Sequence, residues 1–401
     1  MASIGNSVPL GNAGPRERAS WWRGPRFVAE VFDGADEALV ALEAVQNGLK
    51  SNGALTSTGF QSLNWLTVLY EELAPAQKAM PRLVVITERN TGEIALILPM
   101  VVKKKRTLRV ARFADLGVSD YGGPILGPAE MTKRRSMRRA WRAVRYAMRD
   151  VDMIRLENMP AEIGGRPNPL ITRAGMSPSR MSGNVIVVPS TVEAYIAGLG
   201  KKYRKEVERC TRLWEKEGDP KFSRALDPEE IARAYTILEE QQLARHTALG
   251  SKYILDDPMY RAFYERLVID GTEVELGYIF TLEAKGEMVA TLFGIQHDGT
   301  FTLLRISNGG DRWSHLSPGR LIVVEAMKYF VERGVRRFDL GIGDYPFKRG
   351  LGATDVPLFD LIVARDLAAV PRATFHRVKG RARKNQRLRA LYRRFKRFRN
   401  G

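Results

Sequence analysis

Residues 339–352 read DLGIGDYPFKRGLG and bring several side chains able to move protons into one short segment. Asp339 follows Phe338 on a strand expected to be buried, and Asp344 and Tyr345 come after two glycines that allow close backbone approach. A carboxylate whose pKa is raised by burial can act as a base, and a phenol can donate a proton. These three residues are therefore candidate catalytic groups. In the structural alternative, Asp339 binds local backbone amides and Asp344 only makes a turn.

A second candidate site lies in residues 311–327, DRWSHLSPGRLIVVEAM, where a turn runs directly into an apolar helical stretch. The turn contains Ser317, Pro318 and Gly319. The N-terminus of a helix attracts anions, and a glycine there allows a phosphate to approach the backbone closely. A simple helix cap, with serine followed by proline near the first helical position, has much the same sequence. The local sequence leaves both interpretations open.

The elements that must position these segments occur twice in the chain. In the first half, a hairpin with an Asn-Thr-Gly turn (82–102) precedes a Gly-rich strand region (113–128), a helix and a strand. In the second half, three strands in 275–307 are joined by Lys-Gly and Asp-Gly turns, and a helix closed by Gly334 leads to the strand before DLGIG. The repeated order predicts two α+β lobes of related architecture.

Composition narrows the class of protein further. The 401 residues suit two or three domains, and the single cysteine, Cys210, excludes an intrachain disulfide framework. The N-terminus lacks the apolar core of a secretory signal, and no apolar run reaches the length of a membrane span. No spacing of His, Cys, Asp or Glu suggests a metal site. We therefore expect a cytoplasmic protein, or one peripheral to the inner face of the cell membrane, that uses no metal.

The net charge of +19 is concentrated at the C-terminus, where residues 371–401 contain thirteen Lys and Arg and no acidic residue. The same segment is predicted to form a helix with an apolar stripe, which is typical of attachment to anionic membranes. Contact with RNA, or a tail that only aids solubility, are the alternatives. The stripe consists of Leu388, Leu391, Tyr392, Phe395 and Phe398.

The boundaries predicted from these patterns divide the chain into four parts. Residues 1–25 are polar and expected to be disordered, residues 26–184 form an N-terminal lobe, and residues 185–370 form a C-terminal lobe. Residues 371–401 form the basic amphipathic tail.

The order of these elements, with the sequences found in them, resembles the GNAT acyltransferase superfamily. More narrowly, it resembles the tandem-lobed bacterial group called CelD-like, which is associated with cellulose and exopolysaccharide synthesis. The likeness rests on four segments: FQSLNWLTVLYEEL (60–73), GVSDYGGPILGP (117–128), KKYRKEVERCTRLWEKEG (201–218) and LSPGRLIVVEAMKYFVERGVRRFDLGIGDYPFKRGLG (316–352). Their order and spacing over residues 60–365 make it specific.

The resemblance implies two GNAT-like lobes, each a mixed, mostly antiparallel sheet flanked by helices, whose central strands splay apart. It also implies an acyl-coenzyme A co-substrate, with acetyl-coenzyme A favoured. Its pyrophosphate would lie on the turn that contains Ser317 and Gly319, with Arg320 and Lys348 as basic partners. The turn departs from the superfamily pattern because it keeps one glycine and because Pro318 has no N–H to donate. The first lobe lacks a Ser-Pro-Gly turn, so we expect one cofactor site, in the second lobe.

The implied activity is direct acyl transfer to an amine or hydroxyl of a sugar, polysaccharide or envelope precursor. Asp339 or Asp344 would take the acceptor's proton and Tyr345 would protonate the departing thiolate. Arg245, His246 and Tyr253 would line the acceptor side, although a surface histidine is the simpler interpretation of His246.

The sequence leaves two alternative functions open. The basic helix at 201–218 also occurs in the Fem-type aminoacyltransferases, which join amino acids from charged tRNA to cell-wall precursors. In that case the donor would be aminoacyl-tRNA instead of a coenzyme A thioester. The other alternative is a non-catalytic adaptor that keeps the fold and is recruited to a membrane-associated polysaccharide complex through its tail.

Overall fold

The computed structural model describes residues 22–23, 26–48, 55–129, 131, 133–171, 176–273 and 276–384. The chain divides into two compact units: unit 1 contains residues 1–181 and 357–401, and unit 2 contains residues 182–356. Each unit is built on a mostly antiparallel sheet flanked by helices, which confirms the predicted α+β class. None of the helices in the described ranges has the length and apolar character needed to cross a bilayer.

The first part of unit 1 contains nine strands and four α-helices in its described residues. In chain order these are β1 (Trp22–Arg23), β2 (Phe27–Asp33), α1 (Ala35–Gly48), α2 (Leu63–Val68), α3 (Ala74–Ala76), β3 (Met80–Glu88), β4 (Ile94–Lys105), β5 (Leu108–Phe113), β6 (Ile125–Leu126), α4 (Arg134–Ala147), β7 (Met153–Pro160), β8 (Glu162–Ile163) and β9 (Arg166–Pro167).

The chain passes into unit 2 within one strand and returns to unit 1 within another. These two strands and the elements between and after them are β10 (Met176–Val187), α5 (Val192–Gly198), α6 (Lys201–Glu215), β11 (Lys221–Arg224), α7 (Pro228–Ala248), α8 (Pro258–Glu273), β12 (Gly277–Ala284), β13 (Glu287–His297), β14 (Thr300–Ile306), α9 (Pro318–Glu332), β15 (Arg337–Asp339), α10 (Pro346–Gly350), β16 (Thr354–Ala364) and α11 (Val370–Lys384).

The two sheets repeat one topology. The strand order is β2-β3-β4-β5-β7-β16 in unit 1, with β1 beside β2, and β11-β12-β13-β14-β15-β10 in unit 2. In each sheet a single pair of neighbours is parallel, namely β5 with β7 and β14 with β15, and the other pairs with a described register are antiparallel. The repeated order of elements in the sequence therefore corresponds to a repeated sheet.

The division between units differs from the predicted boundary at residue 370. Most of β16 belongs to unit 1, where it pairs with β7, whereas the end of β10 pairs with β15 in unit 2. Each of these two strands thus pairs with strands that come from elsewhere in the chain. Periodicity identifies a strand but not its partner, so the sequence could not predict this exchange.

The predicted segments at the two chain ends fall largely outside the described residues. Of residues 1–25, only β1 is described, and it pairs with β2. Helix α11 accounts for the beginning of the predicted tail, and its apolar stripe at 388–398 lies outside the described residues.

The hairpins of unit 2 follow from their turn residues. Lys285 and Gly286 have φ values of 51° and 73°, and Asp298 and Gly299 have φ values of 46° and 68°. Positive φ at both central residues characterises the turns whose twist matches that of antiparallel strands. The two turns therefore fix the β12-β13-β14 meander that carries the candidate site.

Helices cover both faces of the unit 2 sheet. On one face, α9 and α6 pack on an aromatic core in which Phe301 and Phe338 contact Phe330. Helices α7 and α8 pack on β12 and β13 from the other face. Because side chains alternate along a strand, residues next to Phe301 and Phe338 point toward the α7 and α8 face.

Candidate functional site

The two parallel strands of unit 2 separate after a short paired stretch. Their register ends at the Thr302–Asp339 pair, where β15 stops, while β14 continues to Ile306 along β13. A bulge lies in the same part of β14, since Leu304 is the extra residue between two successive pairings with β13. The carboxyl ends of β14 and β15 therefore diverge at one edge of the sheet, which is where the candidate residues gather.

The loop after β15 is held by buried side chains. The Asn184 amide Nδ2 donates to the carbonyl oxygens of both Gly341 and Gly343, at 2.8 Å each. Lys348 Nζ donates to the carbonyl oxygens of Gly341 and Ile342, at 3.1 and 2.8 Å. These bonds satisfy carbonyl groups that would otherwise be buried without donors, so the loop is fixed rather than loose.

Asp339 lies at the start of this loop with 4% of its surface exposed. Its Oδ1 accepts a hydrogen bond from the Gly341 N–H at 2.8 Å. Phe338 packs toward α9, so Asp339 points to the opposite face of the sheet, the one covered by α7 and α8. Asp339 therefore binds a local backbone amide, as the structural alternative predicts. The hydrogen bond holds its carboxylate at the point where the strands diverge.

Asp344 and Tyr345 are more exposed than Asp339. The Asp344 side chain is 78% exposed and forms an ion pair with Arg349. Tyr345 is 56% exposed, and the Lys348 ammonium lies 5.3 Å from the centre of its ring. The structure therefore keeps Tyr345 at the rim of the loop and turns Asp344 toward solvent, away from the buried end of β15.

The Ser-Pro-Gly turn begins helix α9. Ser317 has φ 50° and ψ 54°, and its carbonyl oxygen accepts from the N–H groups of Arg320 and Leu321. Within the described residues the Gly319 N–H has no acceptor and the Ser317 hydroxyl does not cap the helix. A Cβ on Gly319 would meet only the Ile306 Cδ1 atom at 3.8 Å and a carbonyl oxygen at 4.0 Å. Open space and an available donor at a helix start suit an anion.

Arg320 and Lys348, the predicted basic partners of the pyrophosphate, both contact neighbouring residues of the protein. Arg320 donates to the Tyr203 hydroxyl and to Glu206 Oε1 on α6, at 3.1 Å each, while Lys348 is buried against the loop. The hydrogen bond from Arg209 lowers the pKa of Glu206 to about 2, so Glu206 stays charged beside Arg320. Both cations therefore hold elements in place around the turn.

The three predicted acceptor-side residues lie at the end of α7 and just after it. Arg245 is exposed, and His246 belongs to the last turn of α7, where its Nδ1 is 2.9 Å from the Ser251 hydroxyl. Tyr253 is 2% exposed, and its ring centre lies 5.2 Å from that of His246. Tyr253 therefore lines the interior and Arg245 does not.

The sequence analysis missed Arg305 on β14, which donates through Nη2 to the Tyr253 hydroxyl at 3.3 Å. A signal was present, because an arginine stands in the otherwise uncharged strand TFTLLRI. A charged residue at such a position is rarely buried without a reason.

The corresponding place in unit 1 is occupied by the chain itself. The parallel β5–β7 pairing ends at Arg112 and Arg155, and beyond it the Gly122 N–H donates to the Asn158 carbonyl oxygen at 3.2 Å. A Cβ on Gly122 would collide with the Glu157 carbonyl oxygen. The Gly-rich region 113–128, predicted as strand, is mostly turns and forms only β6, because it crosses this position instead of pairing along its length.

Asn184→Asp is expected to lower the stability of unit 2 by about 1–3 kcal/mol, because two buried carbonyl oxygens lose their donors. The aspartate has the same shape, so packing is preserved; the loss comes from the two missing hydrogen bonds and from a carboxyl group buried against two carbonyl oxygens. Urea unfolding followed by tryptophan fluorescence measures it. Asn308→Asp, at a more exposed position, is the matched control, and equal stability of the two variants would contradict the role given to Asn184.

The chain is similar to known proteins over parts of its length. A family model described as acetyltransferase (GNAT) domain matches residues 201–349, the part of unit 2 from α6 to α10. None of the curated proteins compared with the chain matches it. Among the described residues, no group of three or more His, Cys, Asp or Glu could hold a metal ion.

Solved structures resemble the chain at low sequence identity. FemX is 12% identical with a TM-score of 0.54, over 74% of this chain and 91% of that one. The C-terminal domain of a putative lysylphosphatidylglycerol synthetase from Agrobacterium fabrum is 12% identical with a TM-score of 0.48, over 85% and 95%. A tandem GNAT protein from the clavulanic acid biosynthesis pathway is 13% identical with a TM-score of 0.43, over 84% and 99%. At such identities the FemX likeness establishes a shared fold, and the sequence of residues 201–349 matches the model of a GNAT acetyltransferase domain.

Proposed function

We propose that the protein is an acyl-coenzyme A-dependent acyltransferase that transfers the acyl group directly to an amine or hydroxyl. The observation that carries this proposal is the divergence of β14 and β15 next to the start of α9. Because these strands are parallel, their carboxyl ends meet at one edge of the sheet. Asp339 and the Ser317–Gly319 turn are attached to that same edge. In this proposal Asp339, as proton acceptor, and the turn, as anion-binding site, belong to one active site.

The coenzyme's pyrophosphate would lie against the first turn of α9. Gly319 contributes a backbone donor and the space beside its Cα, and the dipole of the fifteen-residue helix favours the negative charge. Arg320 supports the site by fixing α6 against α9 through Glu206. Acetyl-coenzyme A is the donor that we favour.

Asp339 is the proposed base. It would take the proton from the acceptor's nitrogen or oxygen as that atom forms a bond to the acyl carbon. Tyr345 would return a proton to the sulfur as the carbon–sulfur bond breaks. Asn184 and Lys348 hold the loop between Asp339 and Tyr345 and are positioning residues.

The acceptor would enter from the side of α7 and α8, toward which Asp339 points. His246 and Tyr253 lie there, with Arg245 at the exposed edge. We propose a sugar, polysaccharide or envelope precursor as the acceptor, in line with the CelD-like resemblance. We also propose that residues 371–401 bind the protein to the anionic surface at the inner face of the cell membrane.

Calorimetric titration with coenzyme A and acetyl-coenzyme A tests the donor. We expect binding of both, followed by release of free thiol when amino-sugar or hydroxyl acceptors are added with acetyl-coenzyme A. No binding heat and no thermal shift with either compound would refute the assignment. Binding without thiol release in any acceptor mixture would favour the non-catalytic adaptor.

A Fem-type transferase is the second candidate, and the fold shared with FemX favours it. Helix α6 supplies exposed cations that could contact a nucleic acid backbone, among them Lys201, Lys202 and Lys205. Binding of charged tRNA that weakens steeply with salt, together with no response to coenzyme A, would support this candidate over the first.

A further inference from the structure

A buried guanidinium group lies on the α7 and α8 face of unit 2. Arg305 is 7% exposed and donates through Nη2 to the Tyr253 hydroxyl and to Gln242 Oε1. Its Cζ atom lies 4.9 Å from the ring centre of Tyr264 and 5.6 Å from that of Tyr253. Two tyrosine rings and an amide thus surround a full positive charge.

Nothing in the described residues neutralises this charge through an ion pair. Arg305 forms no salt bridge there, and its Nε is buried without a hydrogen-bond acceptor. Glu239 on α7 has its Oε1 atom 4.0 Å from Arg261 Nε and forms no ion pair with Arg305 in the described residues. Burial raises the pKa of Tyr253, so the phenol stays neutral and cannot serve as a counter-ion.

Leaving a cation unpaired in a protein interior is costly unless a partner arrives with another molecule. A guanidinium also presents its donors in a planar fork that matches the two oxygens of a carboxylate or phosphate. The surroundings of Arg305 therefore favour an oxyanion as the missing partner.

The position of Arg305 connects it with the candidate site. It lies on the part of β14 that has separated from β15, three residues beyond Thr302, the register partner of Asp339. At the rise of a strand this is about 10 Å. Arg305 and Asp339 are both directed to the face covered by α7 and α8, and Tyr253 touches the same guanidinium.

We propose that Arg305 binds an oxyanion, a carboxylate or a phosphate, on the acceptor molecule, with Tyr253 and Gln242 orienting the guanidinium. The acceptor is therefore an acidic molecule rather than a neutral one. This inference rests on the proposed function, since it assigns the substrate class of the same site.

Binding of three related amino sugars to the purified full-length protein, measured by calorimetry in the presence of coenzyme A, tests the inference. Glucosamine is neutral apart from its amine, glucosamine 6-phosphate adds a phosphate, and muramic acid adds a carboxylate. We expect at least one of the two acidic sugars to bind ten-fold or more tightly than glucosamine. The preferred acidic sugar identifies which oxyanion is used.

The variant Arg305→Met should abolish this preference, and Arg305→Lys should keep part of it because the charge remains without the fork. Arg233→Met, on the exposed side of α7, is the matched control and should retain the full preference. If Arg305→Met does not fold by circular dichroism, Tyr253→Phe takes its place. That variant keeps the ring and removes the hydroxyl bonded to Arg305, and it should reduce the preference several-fold.

Equal affinity for all three sugars would overturn the inference, and so would the absence of measurable binding of any of them. A folded Arg305→Met variant that keeps the full preference for the acidic sugar would overturn it as well. Coenzyme A binding distinguishes failure of the oxyanion inference from failure of the proposed function. If coenzyme A binds and the acidic preference is missing, only the inference fails. If the preference depends on Arg305 and coenzyme A does not bind even without sugars, the oxyanion site stands and the donor assignment fails.

Discussion

The variant Asp339→Asn is expected to lower kcat by about 10²- to 10⁴-fold, the usual contribution of a general base, with little change in the dissociation constant for coenzyme A. An asparagine keeps an oxygen that can accept the hydrogen bond from the Gly341 N–H, so the loop should remain in place. What it loses is the ability to take a proton. The expected defect therefore lies in the chemical step and not in folding or donor binding.

Release of free thiol from acetyl-coenzyme A at saturating acceptor measures this effect, with thermal unfolding as the check on the fold. Asp344→Asn is the comparison within the same segment, and it should change kcat far less because Asp344 is exposed and paired with Arg349. An Asp339→Asn protein with near wild-type kcat would show that Asp339 only binds the local amide. Equal losses in the two variants would assign the chemistry to the segment as a whole.

The topology was predictable to the extent that local signals determine it. Turn residues such as Lys285 and Gly286 impose a hairpin, and a C-cap glycine such as Gly334, with φ 67°, ends a helix before the next strand. These signals act over a few residues and are visible in the sequence. The pairing of β10 with β15 and of β16 with β7 depends on hydrogen bonds between distant segments, which no local pattern encodes.

The candidate site was predictable in position and less so in the partners of its residues. A polar residue directly after a buried strand can be read from the sequence, and Asp339 ends β15 accordingly. The engagement of Arg320 with α6 and of Lys348 with the loop requires two elements to meet in space. For the same reason the sequence did not separate the buried Asp339 from the exposed Asp344.

A repeated topology does not produce a repeated site. In unit 1 the segment that contains Gly122 crosses beyond the β5–β7 pair and is hydrogen-bonded to the residues at the end of β7. In unit 2 the corresponding pair, β14 and β15, diverges, and no segment crosses there in the described residues. The start of α4 carries Lys133 as its N-cap residue, with no Ser-Pro-Gly turn. The two units therefore offer an internal comparison, because the start of the corresponding helix can be altered in each.

The variant Gly319→Asp is expected to weaken coenzyme A binding by about 10- to 100-fold, or roughly 1.4 to 2.8 kcal/mol. The new carboxylate would lie in the space that is open beside Gly319 and would repel the pyrophosphate. The fold should not suffer. An acidic residue in the first turn of a helix is stabilising, and loss of a helical glycine contributes up to about 1 kcal/mol in the same direction.

Lys133→Asp places the same side chain at the start of α4, the counterpart of α9 in unit 1, and provides the matched control. It should leave coenzyme A affinity unchanged, because the unit 1 position is crossed by the chain's own segment. Calorimetric titration gives both dissociation constants, and thermal unfolding checks that each protein is at least as stable as the unaltered chain. Normal coenzyme A binding by Gly319→Asp would show that the pyrophosphate does not lie on α9 and that the Ser-Pro-Gly turn is a simple helix start. Weakened binding by Lys133→Asp alone would assign the coenzyme site to unit 1.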